Sequence, residues 1–410
     1  MRHLRAAWIL IALAAGVACA LHPLKAVDLR VYYAAAQSYF LESGPLYGAT
    51  RAFAWPMIYR YPPLFIGLFR PLGSLPLAVV VGFWATLKVL FLGFLVRAWY
   101  RRYPPRNFPP ALAISALLFL PYLIYDLQIG NVQFFLVAMV CLALLICGRH
   151  PILSSLLIGL AAAVKVWPAF VIPFLFVRRR WRVGSQALGA TVVFTLAPVL
   201  WLGWETFFDL FRQWFLQEQR INALLGDRWY PSQSLRGVML RFLTQMDYAG
   251  LPDRNYRHVN FVSLSSTEVR YFWLASAIAL GVLALVWVYR CKEDGAAYSI
   301  FFCSLMIIEP NVAHLAYTVL LWPFLYAGLA FTDPKAPPWA RRLIGLGATL
   351  AVVAPLVPGS AAQRLAQVLG VDFFSVLIPV TVGVLIYSSW GLFSPLWPWC
   401  PPAGDNITLT

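Results

Sequence analysis

Charge is what this 410-residue sequence has least of: Asp, Glu, Lys and Arg together make 12%, and only 16 residues are acidic. Soluble domains carry about 25% charged residues, so a water-soluble enzyme is excluded. Cysteine is also sparse. Cys19, Cys141, Cys147, Cys291, Cys303 and Cys400 lie in or beside apolar runs, with no CxxC pair and no alternation with His. They read as small apolar residues, which leaves no disulfide framework and no metal site. What fills the chain instead is apolar surface, 61% of residues at a mean hydropathy of +0.72. Aromatic residues make 16%, a density that excludes low-complexity disorder. A membrane protein of many spans follows.

Eleven runs have the length or near-length of a bilayer crossing, about 20 residues. They lie at about 6–23, 74–96, 111–125, 131–147, 152–177, 186–203, 271–289, 296–308, 315–331, 343–357 and 373–388. The first, with Arg2 and Arg5 before it and Ala18-Cys19-Ala20 after it, has features of a signal peptide. Gly16 is a poor match for the lipobox leucine, and an uncleaved helix with its N-terminus inside is the expectation. Run 152–177 carries Lys165 and Pro168 at its centre, as one long helix or as a hairpin of two short ones. Total charge does not decide, because both readings split the basic residues 16 inside to 14 outside. The positive-inside rule concerns short loops. The connections 178–182 (RRRWR), Arg290 with Lys292, and Lys335 to Arg342 select the hairpin.

The expected fold is therefore an all-α polytopic membrane protein of about 12 transmembrane helices, one integral-membrane domain over 1–410, with both termini in the cytoplasm. Two long segments fall outside, 24–73 with an amphipathic helix and 204–270. The Asn406-Ile407-Thr408 sequon falls in the cytoplasmic tail and carries no weight. The outer segments hold Lys25, Arg30, Arg51, Arg60 and Arg70, then Arg212, Arg220, Arg228, Arg236, Arg241, Arg254, Arg257 and Arg270. Guanidinium forks suit phosphate, so a subset is expected to line an anionic lipid site while the rest form a solvated rim. The net charge of +16 points to membrane lipids, with no nucleic acid.

Several polar groups interrupt the apolar pattern at outer ends. Asp28 follows the first span and precedes a helical stretch, 29–41, with Tyr32, Tyr33, Tyr39 and Phe40 on one side, as an interfacial platform would have. The aspartate is a helix cap, a surface carboxylate facing a lipid-borne hydroxyl, or both. Tyr59-Arg60-Tyr61-Pro62-Pro63-Leu64 precedes an apolar segment too short to cross, with Arg60 and Arg70 at its ends. Gln128-Ile129-Gly130-Asn131-Val132-Gln133 places amides where lipid would leave them unsatisfied, so Asn131 and Gln133 bond within the turn or serve a site. Glu309-Pro310-Asn311-Val312-Ala313-His314 is a second such turn. Ionisable groups at span ends are functional candidates: His314 to meet a phosphate, Glu309 as a reserve acid or base.

The ordered set of Asp28, Gly44-Pro45-Leu46-Tyr47, Tyr61-Pro62-Pro63-Leu64, the Gly130-Asn131-Val132-Gln133 turn, Ala163-Val164-Lys165-Val166-Trp167-Pro168, Gln233-Ser234-Leu235-Arg236-Gly237 with Arg241, and His314 resembles glycosyltransferase family 87. The similarity runs over 24 to about 330. Two departures, Gly130-Asn131-Val132-Gln133 for Gly-Gln-x-Asn and Ser232 for Asn, bear on the acceptor and the sugar.

The resemblance implies a C-type glycosyltransferase architecture with its site at the outer face of the plasma (inner) membrane, toward a periplasm or an equivalent extracytoplasmic space. It implies a polyprenyl-phosphate sugar donor, most often mannose, a lipid-linked or glycan acceptor, and no cofactor. In that chemistry a carboxylate takes the acceptor proton and cations steady the departing phosphate. Asp28 fits the first role, as sole base in an inverting displacement. His314, Lys165 and outer arginines fit the second, with Arg60, Tyr61, Arg236, Arg241, Asn131, Gln133 and Glu309 as substrate-binding candidates. The rival is a lipid or glycolipid transporter without chemistry, which would distribute charges through mid-membrane depths and show inverted repeats. Lys88 is the one clear mid-span charge, and no such repeat is evident.

Overall fold

The computed structural model describes residues 2–48, 57–225, 232–246, 248, 256–354 and 360–393. Arg51, Arg228, Arg254, Cys400, the end of the 343–357 run and the 406–408 sequon lie outside them. Among the described residues every regular element is helical. In chain order they are α1 (Arg2–Ala20), α2 (Val27–Leu41), α3 (Pro63–Phe69), α4 (Leu77–Arg102), α5 (Phe108–Ile129), α6 (Gln133–Ile146), α7 (Pro151–Val164), α8 (Val171–Val177) and α9 (Trp181–Leu196). Then come α10 (Val199–Leu202), α11 (Trp204–Leu225), α12 (Leu235–Leu243), α13 (Ser266–Arg290), α14 (Asp294–Ile308), α15 (Leu321–Thr332), α16 (Pro338–Val353), α17 (Ser360–Leu369) and α18 (Ile378–Phe393).

Among the described residues, five helical stretches are long and apolar enough to cross a membrane, or six if the pair Ala361–Leu369 and Phe373–Ser389, bent by 57°, is one span. The shorter apolar helices α6, α7 and α14 pack among them.

Proline sets many of the boundaries. α3, α5, α7 and α16 carry Pro in their first turn, where its missing N–H is no loss. α14 stops at Glu309 because Pro310 follows, which pushes Glu309 to an extended backbone. The apolar run 152–177 breaks at Lys165, whose φ of −150° and ψ of 144° end α7. A short 3-10 turn, Trp167–Phe170, precedes α8. Small residues bring α1 against α4: a Cβ on Gly93 would fall 1.9 Å from Trp8 Nε1, and that indole donates to Val89 O at 2.8 Å. Close backbone approach through Gly is how helices associate where lipid offers no hydrophobic drive.

α15 lies at the centre, with Leu321 to Gly328 buried throughout, and packs on α5, α14 and α18. α13 is peripheral, with only Val269 and Val288 buried. A full capping box, Ser265 with Glu268, starts it.

The stretch 29–41 forms a helix, α2, in which Tyr32 meets Tyr61 and the α3 residues Phe65 and Phe69 edge-on, and only Leu41 is exposed. One expectation is corrected here. Lys88 is not the lone charge at depth. α5 runs past residue 125, so Asp126 is helical and fully buried, bonded to Lys88 at 2.5 Å.

Candidate active site

The turn after α5 organises the site. Gly130 caps the helix with φ +73°, a conformation that favours glycine. A Cβ there would also fall 2.6 Å from Leu29 Cβ, so this turn presses directly on α2 beside Asp28. Gly130 N–H donates to Asp126 O at 3.0 Å, and the same carbonyl accepts from Lys88 Nζ at 3.1 Å. The buried ion pair of α4 and α5 thus anchors the turn that delivers Asn131.

Asn131 is the bridge. Its Nδ2 donates to Asp28 Oδ2 at 2.6 Å, while its Oδ1 accepts from Gln133 N at 2.8 Å. Gln133 Oε1 in turn accepts from Lys165 Nζ at 2.8 Å. Carboxylate, amide, amide and ammonium therefore form one connected set from α2, the α5–α6 turn and the α7 break. Asp28 occupies the first turn of α2, whose N-cap is Ala26, and makes no cap bond. Its carboxyl is held above the usual range by burial, against the opposing pull of the Asn131 hydrogen bond and of Lys165 and Lys88. Glu309, just past α14, lies within the field of Lys165, and burial pushes its carboxyl up to about 7.

Tyr61 and Arg60 close the neighbouring wall. Tyr61 and Tyr32 share a hydroxyl hydrogen bond of 2.8 Å, and the Tyr61 hydroxyl is pushed up by burial and by the nearby Asp28 charge. Arg60 pairs with Glu218 of α11, Nε to Oε1 at 3.0 Å and Nη2 to Oε2 at 2.7 Å. Gln217 Nε2 donates to Tyr59 O, so α11 clasps the 59–61 segment.

His314 stands one helical turn away along α5. Its ring lies 4.7 Å from Tyr122 and 5.4 Å from Tyr125, and Tyr122 precedes Asp126 by four residues. Its Nδ1 bonds Asp372 Oδ2 at 2.7 Å. Arg236 and Arg241 sit in a separate knot. Arg241 donates to Val368 O and Ser232 O, both at 2.7 Å, and burial lowers its guanidinium to about 10. Arg236 lies over Trp273. Gln233 N donates to Val312 O, and Ser234 Oγ to Pro310 O, so the 233–237 motif holds the 309–314 turn in place. Lys88, Asp126, Tyr122 and Asp372 are the members that sequence reading did not single out as a site.

The sequence matches the description "Glycosyltransferase family 87" over residues 59–310. The chain belongs to this family. A similar protein from Mycobacterium tuberculosis (strain ATCC 25618 / H37Rv) is a polyprenol-phosphate-mannose-dependent alpha-(1-2)-phosphatidylinositol mannoside mannosyltransferase. It is 28% identical over 262 residues, covering 58% of this chain and 60% of that protein. Another, from Mycolicibacterium smegmatis (strain ATCC 700084 / mc(2)155), is a polyprenol-phosphate-mannose-dependent alpha-(1-2)-phosphatidylinositol pentamannoside mannosyltransferase. It is 32% identical over 182 residues, 43% of each chain. The matched stretch thus spans 60% and 43% of these curated relatives. No solved structure matches. Within this glycosyltransferase family member, the matched stretch holds Arg60, Tyr61, Asn131, Gln133, Lys165, Arg236, Arg241 and Glu309. Asp28 precedes it, and His314 and Asp372 follow.

Proposed function

We propose that this chain moves a hexose, mannose by analogy with its relatives' names, from a polyprenyl-phosphate donor to a lipid-linked or glycan acceptor. The acceptor hydroxyl attacks the anomeric carbon, the bond to phosphate breaks, the hydroxyl proton goes to Asp28, and the configuration inverts. The observation that carries this reading is the hydrogen-bonded series from Asp28 through Asn131 and Gln133 to Lys165, which sets a base and a cation on one framework. General-base assistance accounts for roughly two to four orders of magnitude in such reactions. Lys165 and His314 take the departing phosphate, with Arg60 at the rim and Glu309 as a nearby acid. An apolar pocket of about 430 Å³, lined by Val166, Trp167, Phe170, Trp273 and Leu305 with Glu309 at its edge, suits the prenyl chain.

The same reading takes the short apolar helices with the long ones as about twelve crossings in a C-type architecture within the inner membrane, the Asp28 end facing outward. Helix breaks at Lys165 and at the 309–314 turn support it. A transporter would make the Lys88 and Asp126 charges its working groups, but both are fully buried against each other and tie down backbone.

Purified protein in liposomes with labelled polyprenyl-phosphate mannose and a phosphatidylinositol mannoside tests the reading. Labelled acceptor product is expected. Movement of label across the bilayer without any product overturns it in favour of transport.

A further inference from the structure

The far end of α2 holds a second feature, apart from the Asp28 framework. A hollow of about 430 Å³ opens there, lined by Tyr39, Phe40, Ser43, Gly44, Arg70 and Trp201. Gly67 lets the Trp201 indole lie on α3, since a Cβ there would fall 2.8 Å from the ring. Gly44 N–H donates to Ser38 O at 2.8 Å, the long closing bond of a Schellman turn, whose left-handed position is ordinarily glycine. Here Ser43 occupies it at φ +51°, a conformation costly for a residue with a side chain.

Two polar groups in this hollow have no hydrogen-bond partner among the described residues. One is the Arg70 guanidinium, which lies over the Phe40 ring, 5.3 Å from its centroid. The other is Ser43 Oγ. Arg30, Arg60 and Arg241 instead direct their guanidinium groups to Leu24 O, to Glu218, and to Val368 O and Ser232 O. Glu42 is exposed and does not line the hollow. An open guanidinium fork beside a hydroxyl is a donor set for a phosphate.

Lipid surface adjoins these donors. Leu41, Leu68 and Leu200, each within two residues of a lining position, are 64%, 54% and 89% exposed. Trp201 is exposed beside them, and tryptophan favours the headgroup boundary. α2 and α3 both lead from the Asp28 framework to this place. Tyr32 meets Tyr61 and Phe65 near one end, while Gln37 Nε2 donates to Gly73 O at 3.3 Å and Arg70 covers Phe40 near the other. Phe40 stands about 18 Å along α2 from Asp28, at a rise of ~1.5 Å per residue.

We propose that the Arg70 hollow binds the phosphodiester of the acceptor lipid, with Arg70 as the cationic fork and Ser43 Oγ as a second donor. The sugars of that lipid then extend along α2 and bring a terminal hydroxyl to Asp28. This rests on the glycosyltransferase reading and adds to it where the acceptor is held. Arg70 touches no reacting atom; it selects which acceptors stay.

Transfer from labelled polyprenyl-phosphate mannose is measured to two acceptors in the same micelles. One is a phosphatidylinositol mannoside, and the other is a mannosyl diacylglycerol, which keeps sugar and acyl chains but has no phosphate. The parent should favour the first. In Arg70→Gln, KM for the phosphodiester acceptor should rise about tenfold or more, the scale of a lost hydrogen bond between charged groups. KM for the donor and for mannosyl diacylglycerol should change little. Arg70→Lys should recover part of the loss, because it keeps the charge without the fork. Ser43→Gly should raise the same KM by a smaller factor while raising thermal stability, because glycine relieves the left-handed position.

Equal losses on both acceptors, or an unchanged KM for the phosphodiester acceptor in Arg70→Gln, overturn the site. Excess phosphatidylglycerol, a phosphodiester lipid without sugar, should leave the parent's acceptor KM almost unchanged; competition that Arg70→Gln abolishes assigns the hollow to bulk anionic lipid and overturns the acceptor role. Absence of transfer by the parent to either acceptor overturns the glycosyltransferase reading and this proposal with it. Thermal unfolding of Arg70→Gln, expected to match the parent, separates these results from misfolding.

Discussion

Replacing Lys88 with Met removes one half of an ion pair in which both side chains are wholly buried. The ammonium makes two bonds, to Asp126 Oδ2 at 2.5 Å and to Asp126 O at 3.1 Å. Breaking such a pair from one side strands the partner charge and costs about 3–5 kcal/mol. Asp126→Leu should cost a similar amount by stranding the ammonium. The double variant Lys88→Met/Asp126→Leu loses no charge to solvation. It forfeits one bond to a carbonyl that keeps Gly130 N–H, about 0.5–1.5 kcal/mol. The double should therefore be more stable than either single variant, an ordering opposite to additivity. Reversible unfolding in mixed micelles, followed by the fluorescence of the 17 tryptophans, measures all three. A cost below about 0.5 kcal/mol for Lys88→Met, small against the expected 3–5, would refute the anchoring argument. So would a double variant destabilised by the sum of the singles.

Asn131→Leu deletes the hydrogen bond that favours ionised Asp28, so the acidic limb of turnover should move to higher pH, with a larger loss in acidic than in alkaline buffer. An unmoved limb in the pH–rate profile would detach Asn131 from the base. Glu309, raised to about 7 from an ordinary 4.5, stabilises the fold below the ordinary value, and that contribution is lost as pH rises through about 7. The change is on the order of 1–3 kcal/mol; Glu309→Gln should flatten stability across that window, and an unchanged slope would count against it. Phe215→Cys on α11, in a cysteine-free background, should react with impermeant maleimide in intact cells; labelling only after lysis would reverse the proposed sidedness.

Much of the site could be read from the sequence because its members are polar residues at the ends of apolar runs. Asp28, Asn131, Gln133, Lys165 and Glu309 each interrupt such a pattern, and lipid makes that interruption conspicuous. Their connection through Asn131 depends on the left-handed Gly130 turn, which a sequence motif suggests but does not orient. Asp126 escaped because hydropathy marks where an apolar run stops, while α5 continues through its last turn. The seating of Tyr32 against Tyr61, Phe65 and Phe69 was equally hidden, since an aromatic residue looks the same in sequence whether lipid or protein covers it. Asp372 follows a weakly patterned stretch, and only the bend at Gly370 reveals its partner. The rule that an ionisable residue at the end of an apolar segment is a functional candidate is the one signal that could have found it.

Asp28→Asn decides most directly whether this carboxylate is the base. The substitution keeps the shape of the side chain and its place beside Asn131 while removing the proton acceptor. Transfer of labelled mannose from polyprenyl phosphate to acceptor, followed with variant protein of unchanged thermal stability, should fall by roughly two to four orders of magnitude, with donor binding retained. Near-normal turnover in that variant would contradict the account and leave Glu309 as the carboxylate to test.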